Sequence, residues 1–404
     1  MDAKSTGITI STLRKRLGLT QAALAEKLNV SDKTVSKWES GNGYPEITQF
    51  PVLAEIFGVT VDYLITGERR GIILAGNILA DIVKRIDCYP KMGMLSNILS
   101  VSRAVGGCVP NVGIDLAKID RSIPITAMGR IGDDEYGRYT VSKMQKYGID
   151  TSRVAVSANT PTSFTDVMSE PSGERTFFHS RGANAEFSPE DVDLNGIDAS
   201  ILHIGYIFLL DYFDGDDGEY GTVMARFLHD VQARGIKTSI DVVSDSSADY
   251  KNKILPSLKY SDYAIMNEIE SCNIYGLDPY GADGKIKIDV IKETAIRMAE
   301  AGVSEKVIIH AKEAGFCYNC ITKEFTAVPS LKIPKELIKG SVGAGDAFCA
   351  GCLYGIYNGL SDEETLRFAS SAAACNLFSE NSVDGMLEKN EIVRMEEKFG
   401  RIAL

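Results

Sequence analysis

The 404-residue sequence holds one tryptophan, four histidines and eight cysteines, and each scarcity narrows what the chain can be. No apolar run approaches the roughly 18 to 20 residues a membrane-spanning helix needs. The amino terminus lacks the basic stretch and apolar core of a secretory signal, so the expectation is a cytoplasmic protein with no membrane contact. Eight cysteines in this length do not make a disulfide framework. Cys317-x-x-Cys320 and Cys349-x-x-Cys352 have the local spacing of zinc ligands, but 28 residues separate the pairs and the second lies in an apolar helical stretch. They read as buried reduced thiols.

With 44% hydrophobic and 24% charged residues, the composition is that of an ordinary globular chain with length for two or three domains. The net charge of −12 is unevenly spread: residues 1–70 carry nine Lys/Arg and eight Asp/Glu, which leaves −13 on residues 71–404. An acidic body that binds an anion needs a metal ion or aimed backbone N–H groups, because its overall field opposes the ligand.

One stretch supplies such groups. Gly340-Ser341-Val342-Gly343-Ala344-Gly345-Asp346-Ala347-Phe348 sets small residues, a carboxylate and a long helical pattern in succession. Glycines let backbone approach a ligand closely, and a helix starting near Asp346 offers free N–H groups and a positive dipole end. Val342, Gly343, Ala344 and Gly345 form the expected anion pocket with Asp346 as a base at its edge; read alone, Asp346 is equally a helix cap.

Upstream, β-branched runs at 72–75, 123–127, 201–204, 238–241, 263–266 and 307–310 alternate with helical patterns near 111–118, 136–146, 222–233, 290–301, 347–357 and 362–377. The alternation predicts an α/β fold with a mostly parallel sheet flanked by helices. Residues 162–169 and 174–181, joined by Glu170-Pro171-Ser172-Gly173, read as a hairpin forming a small β lid near 160–182. Asp81 in Gly76-Asn77-Ile78-Leu79-Ala80-Asp81 follows the first strand, at the ligand-binding edge of the sheet. Gly106 and Gly107 form a tight turn into a helix that carries Asn111, and both side chains suit sugar hydroxyls.

Gly343-Ala344-Gly345-Asp346-Ala347-Phe348 resembles the carboxy-terminal motif of the PfkB/ribokinase family of sugar and nucleoside kinases. Gly129-Arg130-Ile131-Gly132-Asp133-Asp134-Glu135-Tyr136-Gly137 is similar to that family's amino-terminal motif, with Asp133 read as a helix cap, and Gly182-Ala183-Asn184 is another family-like element. The likeness spans roughly residues 71–385 and implies an ATP-dependent kinase domain over 71–404 that phosphorylates a sugar or nucleoside hydroxymethyl group. Asp346 is its implied catalytic base. It further implies that Asn267 and Glu270 hold Mg²⁺ and nucleotide phosphate, Glu270 through water, and places Lys312 and Gly315 at the nucleotide. Three departures stand out. Gly340 replaces an Asp that the family uses around a monovalent-cation site, which argues against potassium dependence. Asp241–Asp245 lacks the usual Asn and Arg, and His310–Gly315 replaces the usual nucleotide motif. Tyr206, Phe208 and Tyr212 either line the pocket or pack.

Residues 1–69 read as an all-α module. Leu13, Leu17, Leu24, Ala25 and Leu28 recur at helical spacing, Thr20 caps a helix from Gln21, and Ser31 or Asp32 caps the next. Val35 and Trp38 face inward there, and Lys33, Thr34, Ser36 and Lys37 outward. Arg14, Lys15 and Arg16 read as a solvated basic face. Over nearly 60 residues the stretch resembles the XRE-type helix-turn-helix of phage-repressor-like regulators. That implies double-stranded DNA as a partner, a recognition helix near 32–39, Gln21 beside the phosphate backbone, and a homodimer on paired half-sites. Only Glu68, Arg69 and Arg70 separate Gly67 from Gly71, so the linker is short. Two readings follow: a sugar-linked regulator with an active kinase, or a regulator whose kinase-like body is an inactive ligand sensor.

Overall fold

A computed structural model describes residues 2–57, 59, 61–67, 70–170, 175–244 and 249–404. The chain divides into two compact units, one of Met1–Arg70 together with Ile356–Leu360, the other of Gly71–Gly355 with Ser361–Leu404. The proposed linker residues Glu68 and Arg69 lie outside the described residues.

The first unit contains five helices among the described residues: α1 (Ala3–Arg16), α2 (Gln21–Leu28), α3 (Asp32–Glu39), α4 (Gln49–Phe57) and α5 (Val61–Thr66). Thr20 caps α2 by accepting from Ala23 N–H, and Ser31, rather than Asp32, caps α3 by accepting from Thr34 N–H. Ile10, Leu24, Val35, Trp38, Leu53 and Leu64 meet in one core, where each fully buried aliphatic side chain contributes about 1.5–3 kcal/mol. Arg14 departs from the solvated-face expectation. It is buried and donates to Glu39 Oε1 and Oε2 at 2.5 and 2.9 Å, tying α1 to α3.

The second unit begins with β1 (Gly71–Gly76), two lid strands β2 (Leu79–Ile86) and β3 (Ile98–Gly106), then α6 (Cys108–Ile119), β4 (Ile125–Gly132), α7 (Glu135–Lys146) and β5 (Asp150–Ser157). The lid is completed by β6 (Ser163–Ser169) and β7 (Arg175–Ser180). There follow β8 (Ala199–Ile207), a short ribbon of β9 (Asp216–Asp217) and β10 (Gly221–Thr222), α8 (Val223–Ala233), β11 (Lys237–Val242), α9 (Tyr250–Leu258) and β12 (Tyr263–Asn267). The last part comprises α10 (Glu268–Asn273), α11 (Ile288–Ala301), β13 (Lys306–His310), β14 (Ala314–Asn319), β15 (Phe325–Pro329), α12 (Ala344–Tyr357), α13 (Asp362–Asn376) and α14 (Lys389–Phe399).

Among the described residues, nine strands form one sheet in the order β15-β14-β13-β12-β11-β8-β1-β4-β5. It is parallel from β5 through β13; β14 pairs antiparallel with both β13 and β15, so β14 alone runs against the other strands. Every residue of β1 is buried, as a strand covered on both faces requires. The strand order reverses beside β1, and ligands bind at the carboxyl ends of strands at such a switch.

The lid is a four-stranded sheet, β3-β2-β6-β7. The 163–169 and 175–180 strands pair as the expected hairpin, whose turn at 171–174 lies outside the described residues. Asp81 is not on a loop at the sheet edge: it sits in the lid strand β2, paired with Ala104 and Thr165. Asp133 is not a cap either. Asp134 caps α7, accepting from Gly137 N–H, while Asp133 is exposed and pairs with Arg138. All eight cysteines are unpaired and seven are buried; Cys88 is exposed.

Candidate functional site

The helix α12 starts at Ala344, two residues before Asp346, so Asp346 lies inside the first turn and does not cap it. Its carboxylate is held from two other elements. Asn111 Nδ2, in the first turn of α6, donates to Oδ2 at 2.9 Å, and the Tyr206 hydroxyl from β8 lies 2.6 and 2.7 Å from Oδ1 and Oδ2. Burial and the charge of Asp241 outweigh these donors and push the Asp346 carboxyl up to about 6. A carboxylate poised there is ionised at neutral pH yet basic enough to accept a proton.

The loop ahead of it is braced from below. Gly343 has φ +77°, and a Cβ on it would stand 2.5 Å from the Ser382 side chain, so this position needs glycine on both counts. Asn376 Nδ2 donates to Val342 O at 2.8 Å. Ala344 N–H turns back to Ser341 O at 3.2 Å, which leaves Gly345 and Asp346 as the first-turn amides nearest the helix's positive end. Ser382 Oγ, 2.7 Å from Asn111 Oδ1, fixes which end of that amide faces Asp346.

Three cavities meet along this loop. One of about 1030 Å³ runs beneath the lid and is lined by Arg85, Arg175, Lys339 and Gly340 to Gly343. A second, about 230 Å³, holds Asp241, Ser244, Asn267, Glu270, Gly345 and Asp346. The third, about 820 Å³, is lined by His310, Lys312, Ile333, Ala344, Phe348 and Leu377. Its mostly apolar walls and His310, whose ring packs tilted at 35° against Phe348 with centroids 4.9 Å apart, suit a flat heterocycle.

In the lid cavity, register decides what faces inward. Asp81, Val83 and Arg85 share one face of β2, and Arg85 lies in line with Ser169 of β6 and Arg175 of β7. A Cβ on Gly106 would sit 2.6 Å from Asp81 Oδ2, and one on Gly107, at φ +88°, 2.4 Å from Asn77 O. The turn therefore brings backbone against the Asp81 carboxylate. Burial and the nearby Asp346 charge push Asp81 up to about 7, against a hydrogen bond from Thr165 and the charge of Arg175. Gly340 has a local explanation: a Cβ there would stand 3.1 Å from Arg175 Nη2. A guanidinium thus occupies space beside the position where an acidic side chain was expected.

Asn267 and Glu270 come together as a reciprocal cap on α10. Glu270 N–H donates to Asn267 Oδ1 at 2.8 Å and Asn267 N–H to Glu270 Oε2 at 2.9 Å, while Ser244 Oγ donates to Glu270 Oε1 at 2.7 Å. Burial pushes the Glu270 carboxyl up to about 8. Both oxygens are engaged, so contact with a cation would pass through water. The oxygen-only set of Glu270, Ser244 and Asn267 fits a hard ion such as Mg²⁺. The rest of the Asp241–Asp245 segment beyond Ser244 lies outside the described residues.

Two expected nucleotide residues separate. Lys312 is exposed and lines the apolar cleft. Gly315 does not: it is buried in β14, paired with His310 and packed against the Phe348 ring, so its role is packing. Tyr206 reaches the site, Phe208 packs against Tyr250, and Tyr212 is exposed. Reading residues singly missed Asn376, Ser382 and Arg175, whose positions depend on strand register and on loops far away in sequence.

In the first unit, Lys33, Ser36 and Lys37 are exposed on α3, and Thr34 is half-buried with its hydroxyl 2.8 Å from Ser31 Oγ. Gln21 is turned inward at its tip, donating Nε2–H to Glu39 Oε2 at 2.8 Å.

The sequence matches the family described as pfkB family carbohydrate kinase over residues 77–390 and a helix-turn-helix family over residues 10–64. Among curated relatives, it is 24% identical over 314 residues to a 5-dehydro-2-deoxygluconokinase of Shouchella clausii, covering 74% of this chain and 88% of that one. It is also 24% identical over 318 residues to the protein of the same name in Clostridium perfringens, covering 76% and 89%. Among solved structures, ribokinase from Thermotoga maritima superposes with a TM-score of 0.65 at 20% identity, covering 81% of this chain and 99% of that one. Arabidopsis thaliana ribokinase, solved with ribose and ATP, gives 0.65 at 19%, covering 81% and 98%.

Proposed function

Since the chain belongs to the pfkB family of carbohydrate kinases, we propose that it transfers the γ-phosphoryl group of ATP to a terminal hydroxymethyl group of a sugar acid, and that its amino-terminal module binds double-stranded DNA as part of a homodimeric, sugar-linked regulator. The observation that carries the kinase reading is the buried Asp346 carboxylate, held by Tyr206 and Asn111 in the 230 Å³ cavity, beside the loop that also lines the other two.

The acceptor lies under the lid, with Asp81, Gly107 and Asn111 on its hydroxyls. Asp346 takes the hydroxyl proton as that oxygen attacks the γ-phosphorus and the bond to the leaving oxygen of ADP breaks. Backbone N–H groups of the 342–345 loop and the start of α12 stabilise charge on the transferring group. The heterocycle lies between His310 and Leu377, beside Lys312. Glu270 and Asn267 would hold Mg²⁺, which would supply charge neutralisation of the phosphates.

A sugar acid is favoured over a neutral sugar by the lid cavity. In a body of net charge −13, Arg85, Arg103, Arg175 and Lys339 outnumber Glu170 and Glu380 around it, and the guanidinium beside Gly340 can take a carboxylate in fork geometry. The names of the curated relatives point to a gluconate-type acceptor.

The test is Asp346→Asn assayed for phosphate transfer across neutral sugars, sugar acids and nucleosides at saturating MgATP. A loss of about 10²–10⁴ in rate with ligand binding intact supports the base role; near wild-type turnover removes it. For the DNA reading, a shift of random-sequence DNA at low salt that disappears at high salt is expected. No shift at any salt overturns it.

A further inference from the structure

Directly behind Asp346 lies a group of side chains that phosphoryl transfer does not use. His203 on β8, Asp241 near the end of β11 and Cys349 one turn beyond Asp346 on α12 are 1%, 7% and 2% exposed. One donor atom from each lies within 4.8 Å of the other two.

The geometry is specific. His203 Nδ1 is fixed by Ser239 Oγ at 2.9 Å, which leaves Nε2 facing inward. Nε2 stands 3.6 Å from Cys349 Sγ and 3.6 Å from Asp241 Oδ2. A thiol hydrogen bond to Nε2 accounts for the first separation. That bond uses the Nε2 lone pair and leaves no proton for Asp241, whose Oδ2 stays 3.6 Å away, beyond hydrogen-bond distance. Asp241 Oδ1 has no hydrogen-bond partner although it is buried. Gly205 makes room for it, since a Cβ there would fall 2.0 Å from that oxygen.

The nitrogen–sulfur separation is that of two ligands around one ion, and the nitrogen–oxygen separation lies within a few tenths of an ångström of it. With metal–nitrogen bonds of about 2.0–2.1 Å and a metal–sulfur bond of about 2.3 Å, a tetrahedral site has a nitrogen–sulfur edge near 3.6 Å and a nitrogen–oxygen edge a few tenths shorter. We propose that His203, Asp241 and Cys349 form a buried site for one borderline divalent ion of the Zn²⁺ class, open on its fourth side to the cavity that also holds Asp346. The sulfur–nitrogen–oxygen donor set selects against Mg²⁺, which prefers oxygen. Ser239 plays the outer partner that a metal-bound histidine ordinarily has. Asp241 and Cys349 both line the 230 Å³ cavity, which gives the ion an entry path. On binding, the Cys349 thiol releases its proton to solvent, and thiolate and carboxylate together balance the ion's charge.

The test uses the full chain with Cys88→Ser, which removes the exposed thiol, stripped with chelator under reducing conditions and titrated with Co²⁺ without nucleotide or Mg²⁺. One equivalent should bind with a thiolate-to-cobalt charge-transfer band that Zn²⁺ displaces. Adding Cys349→Ser should abolish the band, and Ser239→Ala should keep it while weakening affinity about 10–100-fold. Absence of the band, or its persistence after Cys349→Ser, overturns the proposal. If the Cys349→Ser protein does not fold, X-ray absorption of the Zn²⁺-loaded chain decides instead: one sulfur at about 2.3 Å supports the site, and a shell of oxygen and nitrogen alone overturns it.

Discussion

The Tyr206 hydroxyl lies 2.6 and 2.7 Å from the two oxygens of Asp346, so the base shares a proton donor that burial keeps un-ionised. That hydrogen bond stabilises the ionised carboxylate and holds its pKa below where burial alone would leave it. Tyr206→Phe should therefore raise the Asp346 pKa and move the acid limb of kcat against pH from near 6 toward neutrality. A pH–rate profile of the variant checks this, and an unmoved limb would remove Tyr206 from that role.

Arg175 and Gly340 give a prediction about the acceptor. Arg175→Ala should raise KM for a sugar acid about 10–100-fold and leave kcat and the KM of a neutral sugar of the same length nearly unchanged, because a charge-assisted hydrogen bond is worth about 1.5–3 kcal/mol. Gly340→Asp should act in the same direction, since a Cβ at 340 would stand 3.1 Å from Arg175 Nη2 and put a carboxylate beside it. Steady-state kinetics with matched acid and neutral substrates separates the two cases.

Glu270 predicts a pH slope in stability. Its folded pKa is raised from an ordinary 4.5 to about 8, so between those values the folded chain holds a proton that the unfolded chain has released. Stability from this group is present below pH 4.5 and is lost as pH rises through 8. Glu270→Gln should flatten the fall of Tm across that window in metal-free buffer, and Mg²⁺ should oppose the fall in the wild type.

Lys33 and Lys37 are exposed on α3. Replacing either with Ala should weaken DNA binding to all sequences alike and reduce the salt slope of log K by about one. Fluorescence anisotropy over a salt series measures this. Arg14→Ala should instead lower the Tm of the helical module, because Glu39 loses its charge partner and keeps only neutral donors such as Gln21, at a cost of about 3 kcal/mol.

How much of this was legible follows from the range of the interactions involved. The strand–helix alternation, the caps at Thr20 and Ser31 and the Gly343–Asp346 turn depend on neighbours in sequence, and the residues announce them. Asp81 follows the first strand as read, but the lid strand that carries it was not foreseen, because that strand pairs with Thr165, 84 positions away; nothing local marks β2 as lid. Arg14 read as surface because its partner, Glu39, sits 25 residues along. The identity of the α7 cap, Asp134 rather than Asp133, turned on where the helix begins by one residue. Gly315 was assigned by motif alone, whereas its contacts with Phe348 show packing.

The contacts that assemble the base pocket span the chain: Asn111 to Asp346 across 235 positions, Tyr206 to Asp346 across 140, and Ser382 to Asn111 across 271. Helical contacts in the first unit close far sooner. During synthesis at roughly 5–20 residues per second, a nascent chain therefore carries a finished helix-turn-helix module on the order of tens of seconds before the Asp346 pocket can exist. A prematurely terminated product would keep the first and lack the second, a helical module cut loose from the kinase.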